Sequence, residues 1–180
     1  MAFVKRIAGV LLAGVLVLIG VSYLLPSQVH IERAITIDAA PSAVFALISD
    51  FEAWSKWSPW AELDPDATLE ISGSGMGQQI IWSSDSPQVG SGSQTIVQMD
   101  APNYLQTHLD FGANGEADAT FQLSPQGKQT QVIWMLDTDM RQSVPLVKQP
   151  LNAYLGLLMD AMVGQDYEAG LQNLKTLAES

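Results

Sequence analysis

His30 and His108 are the only imidazoles in the chain, and there is no cysteine. A metal site would therefore need both histidines, or one of them, together with carboxylates from unrelated positions. His30 lies close to an apolar leader and His108 falls on the polar side of a strand, so neither is read as catalytic or metal-binding. Lack of cysteine also removes disulfides, thiolate sites and a cysteine nucleophile. Serine and aspartate are plentiful, but no nucleophile-elbow motif organises them into a Ser-His-Asp set. The glycine cluster from Gly73 to Gly77 precedes a strand, so it is read as a turn without the helix N-terminus that holds a phosphate. Asp64, Asp66, Glu116, Asp118, Asp137 and Asp139 are read as solvated, with Asp137 and Asp139 on the outward side beside Gln131. No cofactor, metal or catalytic residue is assigned from these side chains.

The other residues able to do chemistry are apolar and aromatic. Trp54, Trp57 and Trp60 recur every three positions. The first two are read as braces for short helices, and Trp60, following Pro59, either roofs a cavity mouth or packs inside. Ile80, Trp82, Val97, Met99, Leu109, Phe111, Phe121 and Trp134 fall on strands, and Tyr154, Leu158 and Met162 on a helix. Together with Trp60 they would line any space between the two layers, with methionine adapting to irregular shapes. An ordinary core uses the same residue types, and only unfilled volume separates the alternatives.

These side chains need elements to position them. Residues 7–25 hold no charge and, at 1.5 Å per residue, span roughly the 30 Å of a hydrocarbon core. The run ends Tyr23-Leu24-Leu25-Pro26 and not at a small-residue cleavage site, so an uncleaved anchor is favoured over a cleaved signal. Lys5 and Arg6 are the only charges before it, which places residues 1–6 in the cytoplasm and the rest outside, on the periplasmic face in a bacterium. After a linker at 26–28, Val29 to Asp38 alternate as a first strand. Pro41 opens a helix to about Ser49, and Asp50 caps a second short one. Thr68 to Met140 read as six antiparallel strands, with tight turns at Pro102-Asn103 and Pro125-Gln126-Gly127. Parity puts Thr95, Val97 and Met99 inside and Gln94 and Gln98 outside. Leu151, Leu155, Leu158, Met162, Tyr167, Leu171, Leu174 and Leu177 trace one stripe on a long terminal helix, which must lie across the apolar face of the sheet.

Length allows one domain of about 150 residues beyond the leader, from 29 to 180. The formal charge is −11, and beyond the leader six Lys/Arg face all 19 Asp/Glu. Such a domain repels phosphate backbones, which argues against nucleic acid as a partner.

The string DAAPSAVFALISDFEAWSKWSPW, Asp38 to Trp60, resembles the opening of the polyketide cyclase/dehydrase-like family of the START-related superfamily (SRPBCC, birch-pollen-allergen-like). Residues Ile80 to Phe111 are similar to its Trp, VGxG turn and following strand pair, and Gly164 to Glu179 to its closing helix. The resemblance covers Val29 to Glu179. It implies an α+β helix-grip fold: a curved antiparallel sheet of about seven strands on a long C-terminal helix, with two short helices after the first strand. It also implies an apolar cavity without fixing its contents.

The leading expectation is non-catalytic binding or transport of a hydrophobic small molecule or lipid by a membrane-anchored domain. The alternatives are a cyclase or dehydrase acting on a hydrophobic substrate, which needs a buried acid or base, and an envelope adaptor that binds protein. A contiguous exposed apolar patch in place of a closed pocket would favour the adaptor.

Overall fold

A computed structural model describes residues 1–64, 66–86 and 89–180, apart from the side chains of Ala2 and Glu62. Pro87 and Gln88, within the stretch that carries the family resemblance, lie outside the described residues. The elements run α1 (Ala2–Ser22), β1 (Gln28–Ile37), α2 (Pro41–Ile48), α3 (Phe51–Trp54), α4 (Trp60–Leu63), β2 (Thr68–Ser72), β3 (Gln79–Ser83), β4 (Ser91–Asp100), β5 (Tyr104–Asp110), β6 (Glu116–Gln126), β7 (Gln129–Asp139), α5 (Gln149–Gly156) and α6 (Met159–Ala178). A single 3₁₀ turn, Gly112–Asn114, links β5 to β6. The seven strands form one antiparallel sheet in the order β1-β7-β6-β5-β4-β3-β2, so only β1 is displaced from sequence order. α6 lies across β1 on the concave face, which is the helix-grip arrangement.

Local chemistry explains the short helices. Pro41 occupies the first turn of α2, where its missing N–H costs nothing. The Asp50 carboxylate accepts from the Glu52 amide and starts α3. The C-terminal carbonyls of α2 are satisfied by two indoles: Trp54 Nε1 donates to Ile48 O at 2.9 Å and Trp57 Nε1 to Leu47 O at 3.0 Å. Trp54 and Trp57 are thus structural braces, as their spacing suggests. Gln78, 4% exposed, ties α3 to the edge of the sheet, accepting from Phe51 N and donating to Asp50.

Three expectations are corrected. First, a bulge between Ile96 and Gln98 inserts one residue into β4, which reverses parity on one side of it. Gln94 and Ile96 are therefore buried, Thr95 faces outward, and Val97 is exposed. Gln94 is tolerated because Nε2 donates to Thr107 Oγ1 at 2.8 Å. Second, the β6–β7 turn is tighter than expected. Pro125 and Gln126 belong to β6 and pair with Thr130 and Gln129, leaving Gly127-Lys128 as a two-residue connection, with Gly127 at φ 66°. Third, the terminal helix is two helices broken at Leu157-Leu158. Its buried stripe is Gly164, Tyr167, Gly170, Leu171 and Leu174, whereas Leu151, Leu155, Leu158 and Met162 are exposed.

Candidate functional site

The concave face is built from cross-strand rows. One row runs Arg33, Trp134, Phe121, Leu105 and Met99, and the next Ile31, Leu136, Ala119, Thr107 and Ile96. A third runs Val29, Thr138, Ala117, Leu109, Gln94, Ile80 and Ile71, and beyond it Trp82 opposes Gly92. The last two rows lie at the end of the sheet where β1 leaves α1.

The first row is filled. Trp134, 1% exposed, stacks on Tyr167 of α6 at 3.7 Å between ring centroids and on Phe121 at 4.8 Å, with Trp54, Trp57 and Trp60 edge-on around it. Gly170 permits this closeness, since a Cβ there would press on Trp134 and Pro59. Phe121 and Trp134 are therefore plugs in the interior. Trp60 is half-buried between Trp134 and Tyr167, closing the grip from the α4 side. Trp134 Nε1 is buried without an acceptor among the described residues.

The rows at the α1 end differ. Ile80, Trp82, Leu109 and Phe111 all face inward yet stay half-buried. Trp82 meets Phe111 edge-to-face at 5.8 Å and lies over Gly92, whose Cβ would run into the indole and the Asp110 carbonyl. Trp82 Nε1 donates to Val89 O at 3.3 Å. These four side chains form a half-exposed apolar set on the inward face, with Gln94 and Thr138 in the row of Ile80 and Leu109.

The remaining expected residues divide. Met99 joins the packed row, half-buried. Val97 points outward at 46% exposure because of the bulge, and Leu158 and Met162 are exposed at 54% and 60% because the helix break turns their face away from the sheet. Tyr154 leaves the grip altogether and donates its hydroxyl to Leu18 O of α1 at 2.8 Å.

Titratable groups on the inward side are occupied. Arg33 Nε lies 2.7 Å from Glu168 and Nη1 3.0 Å from Asp160, both on α6. Burial holds the Tyr167 hydroxyl far above its ordinary range, so it stays protonated. Burial also raises the Asp166 carboxyl, while a hydrogen bond from Trp60 pulls it back.

The convex face holds a grouping that strand-by-strand parity does not reveal. His30, Asp137, Asp118 and His108 form one row across β1, β7, β6 and β5. His30 Nδ1 is 2.7 Å from Asp137 and His108 Nδ1 2.8 Å from Asp118. The adjacent carboxylates repel, and each is offset by a histidine. Only strand order, which puts β1 beside β7, could have exposed this pairing. Among the described residues, no group of three or more His, Asp or Glu side chains is arranged to hold a metal ion. Among the described residues, one cleft of about 470 Å³ is lined by Asp64, Asp66, Asp85 and Ser84, where Ser84 donates to Asp64, and another of about 370 Å³ lies beside His30 and Asp137.

Comparison with known proteins agrees with this architecture. The ZhuI aromatase/cyclase from Streptomyces sp. R1128 is similar at 18% identity and TM-score 0.62, over 84% of this chain and 94% of that one. A Thermobifida fusca protein matches at 17% and 0.60, over 83% and 92%. The protein Ara h 8.0201 matches at 10% and 0.53, over 84% and 97%. At these identities the likeness shows the fold alone. Among curated proteins none matches. The family model described as "Polyketide cyclase / dehydrase and lipid transport" matches residues 28–179, and with the whole helix-grip domain inside that match, the chain belongs to this family.

Proposed function

We propose that the domain binds a hydrophobic small molecule or lipid at the membrane-facing end of its grip, held beside a bilayer by α1. The carrying observation is the half-exposed apolar set Ile80, Trp82, Leu109 and Phe111 at the end of the sheet where the chain leaves the apolar helix. α1 is long and apolar enough over Phe3–Ser22 to cross a membrane. Lys5 and Arg6 ahead of the span favour the domain outside, on the periplasmic face in a bacterium. A family described by both cyclase/dehydrase chemistry and lipid transport is consistent with either binding or turnover. Binding without chemistry is the better reading, because Arg33 on the inward face is engaged by two carboxylates. A cyclase or dehydrase reading would rest on Asp166, whose raised carboxyl sits beside Trp60.

The test uses the fragment 26–180, which contains the whole family domain. Mass spectrometry of its organic extract should find a co-purifying hydrophobic species. The neutral probe N-phenyl-1-naphthylamine should bind saturably, and Trp82→Ala and Phe111→Ala should weaken that binding while Val97→Ala on the outer face does not. An empty fragment that also fails to saturate with the probe would refute the proposal.

A further inference from the structure

The stretch from Pro145 to Leu158 carries a single charge, Lys148, yet most of its large apolar side chains face outward. Leu146, Val147, Leu151, Leu155 and Leu158, with Met162 at the start of α6, range from 41% to 87% exposed. So many exposed apolar side chains within one short stretch of an otherwise acidic domain call for an occupant. Its position names one. α5 packs against α1, and Tyr154 donates to the carbonyl of Leu18 at 2.8 Å. Leu18 lies four residues before the end of α1 at Ser22, so this contact is roughly 6 Å inside the end of the helix.

We infer that α5 and the flanking residues 146–162 form an interfacial shelf that is seated in the outer leaflet of the bilayer α1 crosses. An interfacial amphipathic helix buries its apolar face roughly 5–10 Å into the headgroup and acyl boundary, and the depth of the Tyr154 contact falls in that range. Tyr23 and Tyr154 occupy the level at which aromatic side chains concentrate in membrane proteins. The junction is fixed: Arg141 Nη2 donates to both Ser22 O and Leu25 O at 2.9 Å, and its guanidinium lies over the Tyr23 ring at 5.7 Å. The span therefore cannot tilt freely from the shelf. With a net charge of −11, the attraction comes from apolar burial and does not need anionic lipid.

The inference rests on reading α1 as a membrane span, and the experiment separates the two claims. Because the chain has no cysteine, single-cysteine variants of the full chain can be labelled cleanly with an uncharged nitrobenzoxadiazole dye. Leu155→Cys and Leu158→Cys probe the shelf, Val10→Cys the middle of α1, and Gln122→Cys the exposed convex face. In phosphatidylcholine vesicles the shelf labels should emit blue-shifted light and be quenched more by shallow than by deep doxyl lipids. The Val10 label should show the reverse, and the Gln122 label neither. Shelf labels that behave like Gln122 while Val10 is quenched would overturn the shelf and leave the span. If Val10 is also unquenched, both fail. Shelf labels that escape lipid quenching but shift with protein concentration would assign the surface to a second copy and overturn the lipid assignment.

Discussion

Replacing Gly164 with alanine should destabilise the natural domain and stabilise one that lacks Arg33. Arg33 extends from the inward face of β1, and its guanidinium rests on α6 at Gly164. A Cβ at that position would overlap Nη2 and come within 2.7 Å of Cζ. Asp160 and Glu168, four residues to either side, hold the group at 3.0 and 2.7 Å, and Nη1 also donates to Glu32 O at 2.9 Å. Alanine in a helix interior is worth about 1 kcal/mol over glycine. Against that stand two ion pairs whose acids are 66% and 64% exposed, each worth roughly 0.2–1 kcal/mol after solvent screening, together with the packing of the arginine stem. Together these losses should come to about 2 kcal/mol, enough to outweigh the helix gain. With Arg33→Met in place nothing is displaced, and Asp160 and Glu168 are left in water and not buried, so the full helix gain of about 1 kcal/mol should appear.

The assay is a double-mutant cycle on the fragment 26–180, read by urea unfolding. The coupling should be about 2 kcal/mol, with opposite signs for Gly164→Ala in the two backgrounds. At roughly 2–4 °C per kcal/mol for a domain of this size, the sign change is visible in Tm as well. Additivity within about 0.5 kcal/mol would refute the reasoning, because it would mean that the guanidinium swings aside without loss and that α6 is not clamped at Gly164.

Two further outcomes follow from the packing and the convex row. Trp134→Ala, removing a ring stacked between Phe121 and Tyr167 at 1% exposure, should cost about 3–5 kcal/mol in denaturant unfolding. A loss below about 1 kcal/mol would show that the interior rings are not closely packed. The hydrogen bond to Asp137 raises the pKa of His30 above 6.5, so protonated His30 stabilises the fold below that pH and the contribution fades as pH rises through the folded value. Asp137→Asn should bring the His30 titration, followed by NMR, back toward 6.5 and remove that fade. An unchanged titration would place the cause elsewhere.

The order of elements was legible because period alone distinguishes alternating strands from helical runs, and because Pro41, Asp50 and the turn glycines mark their ends. Positions depending on a single residue's phase were not. The bulge at Val97 carries no glycine or proline to announce it, yet it exchanges the faces of Gln94 and Val97. The stripe of α6 was obscured by Gly164 and Gly170, which hydropathy does not count as apolar. Their role is to let Arg33 and Trp134 approach the helix.

The same limit bears on function. Leu151, Leu155 and Leu158 have the spacing of a core stripe, and from periodicity alone that is their reading. A leucine facing a sheet and a leucine facing acyl chains are driven by the same loss of apolar surface from water, so hydropathy cannot separate them. Position relative to α1 does, if α1 spans a bilayer as proposed. Ala153 and Gly156 turn inward, with Gly156 against Met140 and Val29, while the leucines of the same helix turn outward beside α1. The half-exposed apolar set Ile80, Trp82, Leu109 and Phe111 lies at that same end of the sheet. If α1 spans a bilayer and α5 is seated in it, as proposed, then with the opposite end closed by Trp134 and Tyr167 a hydrophobic molecule would enter the grip from the α1 end.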